Sequence, residues 1–284
     1  MSSPENALDD LRREVDEIDD SIHDLIMRRA GIVEKIAAAK GKERVYLRPA
    51  REAKILRRLA GRHSGRFPFA VLVRMWRELL AGTTRLQGPF AVAVCAQEGN
   101  DLWDVARDHY GSTTPIVPVN APMAAIRLVM DGAATVAVVP WPEDSDPDPW
   151  WPALMAEDGK SPRIVSRLPF LRVEKAEERP ALAIAQLPYE PTGDDHTLIG
   201  IETAGDLSRG RLKDAAEAAG LVPLSFWNTK VGGENGTPLQ LLEVDDFVGA
   251  GDERLERLVD KIGDTAQRAL TIGGFATPLP IRGA

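Results

Sequence analysis

The chain has 284 residues, 44% hydrophobic and 27% charged, a profile expected of a soluble globular protein with room for two or three domains. No run approaches the ~18 apolar residues that a membrane span needs. The single cysteine, Cys95 in FAVAVCA, excludes an internal disulfide and reads as a small buried hydrophobe in a reducing compartment. The polar, acidic start MSSPENALDD is unlike a signal peptide, so a cytoplasmic protein is expected. The formal charge of −8 hides an asymmetry: residues 1–88 hold 18 Lys+Arg against 13 Asp+Glu, whereas the remainder holds 17 against 30. A basic segment within an acidic protein suits a small anion. Nucleic acid is the poorer fit, because the arginines alternate with acids and no aromatic platform accompanies them.

The first element is a long helix. Leu8, Leu11, Val15, Ile18, Ile22, Leu25, Ile32 and Ile36 recur in steps of three and four, or their sum, forming one apolar stripe. Ser3 can cap it, Pro4 suits its first position, and it should end near Gly41. Position 29 of that stripe is arginine, and Lys40 follows ~16 Å further along nearly the same face. Pro49 opens a second helix, closed by Gly61, which sets Arg48, Arg51, Glu52 and Ile55 on one face. A third runs from about Pro68 to Gln87. Its apolar face is read as Val71, Leu72, Met75, Leu79 and Leu80, and Thr83 and Gln87 lie near its end. Gly88-Pro89 terminates it and bounds a first domain, 1–88.

Arg12 lies ~25 Å from Arg29 along the helix and cannot serve the same small ligand from the same chain. It could do so from a second copy if two long helices pair antiparallel. So thin a helical strip has little core alone, which independently favours an obligate dimer. The inventory lacks a nucleophile–base pair, and His23, His63, His109 and His196 show no metal-ligand spacing, so neither metal nor cofactor is expected. A pocket of guanidinium forks, an ammonium, an amide, a hydroxyl and one carboxylate suits a small dicarboxylate. Its chemistry would be holding a reactive conformer and stabilising charge as a bond breaks.

The texture then changes. FAVAVCA, TVAVVP and PRIVSRL read as strands separated by helical NDLWDVARDHYG and APMAAIRLVMDG, an α/β unit over 89–190. EDSDPDPWWP reads as a loop. Trp141, Trp150 and Trp151, in or beside it, either present exposed indoles for docking or pack down as a lid. Over 191–284 the order is strand HTLIGIET, helix SRGRLKDAAEAAG, strand LVPLSFWNTK, turn GGENG, strand PLQLLEV, helix DERLERLVDKIGDTAQRAL and a last short strand. That is the ferredoxin-like order of an α+β unit. GGENG lacks a following Gly-Lys-Ser/Thr and reads as a hairpin turn, not a phosphate cradle.

Residues 7–88 resemble the all-helical bacterial chorismate mutases through LRREVDEIDDSI, RRAGIVEKIAAAK, RPAREAKILRRL and WRELLAGTTRLQ in order and spacing. The resemblance implies an intertwined homodimer that rearranges chorismate to prephenate. Arg29, Arg51 and the partner's Arg12 would hold substrate carboxylates, and Lys40 and Gln87 would donate to the ether oxygen. Glu52 would orient the ring hydroxyl, and Thr83 would add a polar contact near a carboxylate. Some members carry an acid where this chain has Arg48, which is kept as a further candidate contact.

The remainder resembles the tail of the bifunctional chorismate mutase–prephenate dehydratases, with a truncated α/β lobe and a C-terminal ACT-like domain. The family's GPEGTFS stretch is Ala96-Gln97-Glu98-Gly99-Asn100-Asp101-Leu102 here, and VVPIENS is Val138-Val139-Pro140-Trp141-Pro142-Glu143-Asp144. Its Thr-Arg-Phe is replaced near Arg179–Ala185. Its effector-binding stretches fall at Leu207-Ser208-Arg209 and Trp227-Asn228-Thr229-Lys230. The expectation is a chorismate mutase whose tail, 89–284, scaffolds or binds a small effector or a pathway enzyme. The alternatives are a true bifunctional enzyme and a non-enzymatic chorismate or prephenate sensor.

Overall fold

The computed structural model describes residues 4–40, 46–96, 102–144, 146, 148–156, 161–173, 180–232 and 236–281. They belong to two compact units, Met1–Tyr46 with Gly82–Pro89, and Leu47–Ala81 with Phe90–Ala284.

The first unit is dominated by α1 (Pro4–Lys40), which at 1.5 Å per residue is about 55 Å long. Ser3, the expected cap, lies outside the described residues. The whole apolar stripe is exposed, from 44% at Ile22 to 62% at Leu25. Acids and bases lie between the stripe residues, with Arg12 bonded to Asp9 at 3.0 Å and Arg13 paired with Asp10. The end of α3 (Phe69–Gln87) completes this unit.

The second unit begins with α2 (Pro49–Arg62), where proline occupies the first turn and Ala50, Ala53 and Leu56 are buried. The inward face of α3 here is Val73, Arg77, Leu80 and Ala81, whereas Val71 and Met75 are exposed. Of the expected apolar face, Leu80 is buried and Leu72 and Leu79 are half-buried, so only Val71 and Met75 are corrected, with Val73 taking their place. Val73 joins Ala53, Leu56 and Phe170 in one cluster, and that packing fixes the rotation of the helix, which hydropathy alone does not.

The first part of the sheet domain runs β1 (Val92–Cys95), α4 (Leu102–Tyr110), β2 (Ile116–Val119), α5 (Pro122–Met130), β3 (Val136–Pro140), β4 (Arg163–Leu168), β5 (Leu171–Val173) and β6 (Ala181–Ala185). The second part runs β7 (Asp195–Thr203), α6 (Arg209–Ala218), β8 (Pro223–Val231), β9 (Thr237–Val244), α7 (Glu253–Ile262), β10 (Ala266–Ala276) and β11 (Leu279–Ile281). Nine strands form one sheet in the order β2-β1-β3-β6-β4-β10-β7-β9-β8, and β5 and β11 pair separately. β1 is parallel to β2 and β3, while β6 returns antiparallel between β3 and β4. The run β10-β7-β9-β8 is antiparallel throughout, which with α6 and α7 is the ferredoxin-like arrangement.

The sheet does not break near residue 190. β4 and β10 meet in parallel at the pair Ile164 and Gly273, and a Cβ on Gly273 would lie 2.2 Å from the Ile164 carbonyl oxygen. Gly273 also has φ +124°, so both its missing side chain and its backbone conformation permit the junction.

Three local readings change. The helix expected through Leu270 ends at Ile262, because Gly263 at φ +78° turns the chain; AQRAL then opens the eleven-residue β10 rather than a short strand. The last two residues of the segment expected as loop, Trp151 and Pro152, open a short 3-10 helix, Trp151–Met155. The exposed-indole alternative is overturned: Trp150 and Trp151 are 1% exposed, and the Trp150 indole N–H donates to the Pro140 carbonyl at 3.2 Å. Trp141 stacks edge-on against Trp227 and Phe275 at the same core. The centre of GGENG, residues 233–235, lies outside the described residues.

Candidate functional site

In the first unit, the arginine of the α1 stripe reaches the end of α3. Arg29 Nη1 donates to Thr83 Oγ1 at 3.2 Å, and Thr83 is 5% exposed. One turn on, Gln87 Nε2 donates to the Thr83 carbonyl at 3.0 Å. Thus α1 supplies a part-buried cation, and α3 supplies the hydroxyl that orients it and an amide beside it. Arg12 stands elsewhere on α1, its side chain 68% exposed. Lys40 ends α1, and its side chain lies outside the described set.

In the second unit, Arg51 is exposed on α2. Arg48, just before α2, donates to Glu190 Oε1 at 3.0 Å; both side chains are nearly half exposed, so solvent screens the pair. Glu52 is different. Its Oε2 accepts from Arg77 Nη1 at 2.8 Å, with the two side chains 12% and 6% exposed. The Arg77 guanidinium also lies over the Phe170 ring, 5.6 Å from its centroid.

Two α4 residues enclose this pair electrostatically. Burial, then the charge of Arg77, pushes the His109 pKa well below its ordinary 6.5. Burial, then the charge of Glu52, raises that of Tyr110, whose hydroxyl finds no hydrogen-bond partner among the described residues. Both rings are therefore neutral near pH 7, their centroids 4.7 Å apart. Burial lowers the Arg77 pKa, and the charge of Glu52 and its hydrogen bond oppose that shift. Glu52 and Arg77 line a cleft together with Arg48, His109, Arg167 and Tyr189.

Arg77 was absent from the candidates drawn from sequence. It lies one turn from both Val73 and Leu80, and that spacing was the available signal.

In the tail, Val138 and Val139 are buried in β3, while Glu143 and Asp144 are exposed and Asp144 pairs with Arg209. Residues 97–101 of the first dehydratase-like stretch, and Arg179, lie outside the described residues. Ala181–Ala185 form a fully buried strand. At the expected effector stretches, Leu207 is buried and Ser208 caps α6 by accepting from the Arg211 N–H at 3.3 Å. Trp227 is 8% exposed, and Lys230 lies 3.5 Å from Asp206. Among the described residues no group of three His, Cys, Asp or Glu could hold a metal ion, and no helix is long and apolar enough to cross a membrane.

Residues 11–88 match the family model Chorismate mutase type II. Over 148 residues the chain is 32% identical to a bifunctional chorismate mutase/prephenate dehydratase of Stutzerimonas stutzeri, covering 49% of this chain and 40% of that protein. Over 146 residues it is 30% identical to the Pseudomonas aeruginosa protein of the same name, covering 48% and 39%. The chain thus spans about two fifths of the length of these relatives. A solved prephenate dehydratase from Streptococcus mutans aligns with TM-score 0.47 and 14% identity, over 68% of this chain and 100% of that one.

Proposed function

We propose, from the chorismate mutase type II domain in residues 11–88, that this protein catalyses the rearrangement of chorismate to prephenate. The reaction breaks one ether C–O bond and forms one C–C bond within a single molecule, so it needs no cofactor, metal or covalent intermediate. Negative charge grows on the ether oxygen as the bond lengthens. Donation to it from Lys40 and Gln87 is worth about 3 kcal/mol each, or about a hundredfold in rate. Arg29, Arg51 and the partner's Arg12 hold the carboxylates, Thr83 sets the Arg29 fork, and Glu52 accepts from the ring hydroxyl. Arg48 is a further candidate contact. The roles of Lys40, Arg51 and Glu52 rest on the sequence match; those of Arg29 and Thr83 also have their 3.2 Å hydrogen bond in support.

The observation that carries the reading is the match over 11–88 with an arginine inside an otherwise apolar helical stripe, bonded to a buried threonine. The exposed stripe supports the homodimer: so long an apolar face is unstable in water unless covered, and an antiparallel second copy covers it with the same residues.

For residues 89–284 we propose a non-catalytic dehydratase-like and ACT-like tail that scaffolds or regulates. The names of the two relatives favour a second reading, in which prephenate is also dehydrated. One assay separates these readings. Purified protein is incubated with chorismate, and prephenate and phenylpyruvate are quantified after a neutral quench, with phenylalanine, tyrosine or tryptophan added in parallel. Prephenate alone is expected; both products would establish the second reading. Neither product would leave a chorismate-binding sensor.

A further inference from the structure

We infer that Arg77 is a positioning residue for the mutase reaction, holding the Glu52 carboxylate in place, and that Phe170 of the tail holds Arg77 in turn. This rests on the reading of Glu52 as the acceptor for the substrate's ring hydroxyl.

A carboxylate as buried as that of Glu52 needs a partner to remain charged, and Arg77 supplies it at 2.8 Å. The fork fixes more than charge. An ionised carboxylate has two oxygens and about four acceptor sites, so an Arg77 bond on Oε2 is compatible with a second donor while limiting rotation of the group. Replacing such pairs by apolar residues commonly costs a protein little stability, so a buried pair beside a proposed site is better explained by orientation than by stability.

Several titratable and charged groups surround Glu52. Arg77 comes from α3, His109 and Tyr110 come neutral from α4, and Arg48, Arg167, Tyr189 and Glu190 line the same cleft, with Glu190 paired to Arg48. Phe170, 6% exposed, lies in the turn between β4 and β5 and packs with Ala53, Leu56 and Val73. The carboxylate that the mutase segment contributes is thus held by Arg77 of the same segment, and Arg77 is in turn held by Phe170 beyond residue 88. The tail becomes part of the mutase apparatus even with no reaction of its own.

The test uses the full chain. Prephenate formation is followed from pH 5 to 9 for wild type, Arg77→Gln, Arg77→Lys and Phe170→Leu, with melting curves for each. Arg77→Gln is expected to lower kcat by about ten- to a hundredfold, with KM nearly unchanged. The acid limb of its profile moves to higher pH, because Glu52 loses the charge that keeps it ionised. Arg77→Lys recovers part of the rate and part of the limb. Phe170→Leu shifts both in the same direction as Arg77→Gln, by less. A folded Arg77→Gln with the wild-type kcat and acid limb overturns the inference. If that variant does not fold, Arg77→Lys and Phe170→Leu decide: wild-type rates and limbs in both, at a lowered melting temperature, overturn it equally. Wild-type rate and limb in Phe170→Leu alone overturn the part assigned to the tail. A wild-type chain that forms no prephenate instead overturns the mutase reading itself.

Discussion

Replacing Ile22 by aspartate probes the dimer that the proposed site requires. Ile22 lies mid-stripe on α1 and is 44% exposed, and seven further stripe residues are 46–62% exposed. Covering the exposed half of a Leu or Ile side chain is worth about 1 kcal/mol. Eight such residues from each copy give about 16 kcal/mol gross, against about 4–15 kcal/mol for the freedom lost on association. Ile22→Asp removes about 2 kcal/mol of that burial from the pair and forces two carboxylates towards an apolar seam, at about 1.5 kcal/mol each. A total near 5 kcal/mol weakens association by about three to four powers of ten. Sedimentation velocity over a range of concentrations should give wild type at twice the 31.0 kDa chain mass and Ile22→Asp at once that mass. The variant should also lose mutase activity, while the far-ultraviolet signal of the sheet persists. A dimeric, fully active Ile22→Asp would refute the reasoning, as would wild type that is monomeric throughout.

Gly273→Ala should be severe. Its Cβ would lie 2.2 Å from the Ile164 oxygen and 2.4 Å from its nitrogen, at φ +124°, and chemical denaturation should show a loss of about 3 kcal/mol or more. Trp150→Phe should cost about 1–3 kcal/mol through the lost bond to Pro140 and the space left behind; an unchanged midpoint would mean the indole is not core. Because the folded His109 pKa lies well below 6.5, the unfolded chain takes up its proton first as pH falls through that value. Wild type should therefore lose stability below about pH 6.5, down to the folded pKa, and His109→Gln should show a flatter melting temperature over the same range.

The helices were legible because their punctuation is chemical. Pro49 starts α2, Gly88-Pro89 follows α3, and the α1 stripe keeps its period for about eight turns. The βαββαβ order was legible for the same reason, while the end of α7 was not. DTAQRAL has helix-forming residues, and only the left-handed conformation of Gly263 commits the chain to β10. The single sheet was hidden because its two halves are joined by β4 and β10 at Ile164 and Gly273, a pairing that strand patterns cannot specify. Likewise Arg29 stood out as a charge in an apolar row. Arg77 did not, since its burial depends on Phe170 and Glu52 arriving from distant parts of the chain.

The central claim, cationic side chains from two copies completing one chorismate site, is tested most directly by mixing two inactive variants. Arg12→Ala and Arg29→Ala are purified separately, mixed in equal amounts, and allowed to exchange subunits through mild denaturation and refolding. Half of the dimers are then mixed, and in each of these one site has both arginines intact while the other has neither, so about a quarter of wild-type activity should return. If neither variant loses activity alone, or if the refolded mixture stays as inactive as its parts while wild type treated identically recovers, the account of a shared site is contradicted.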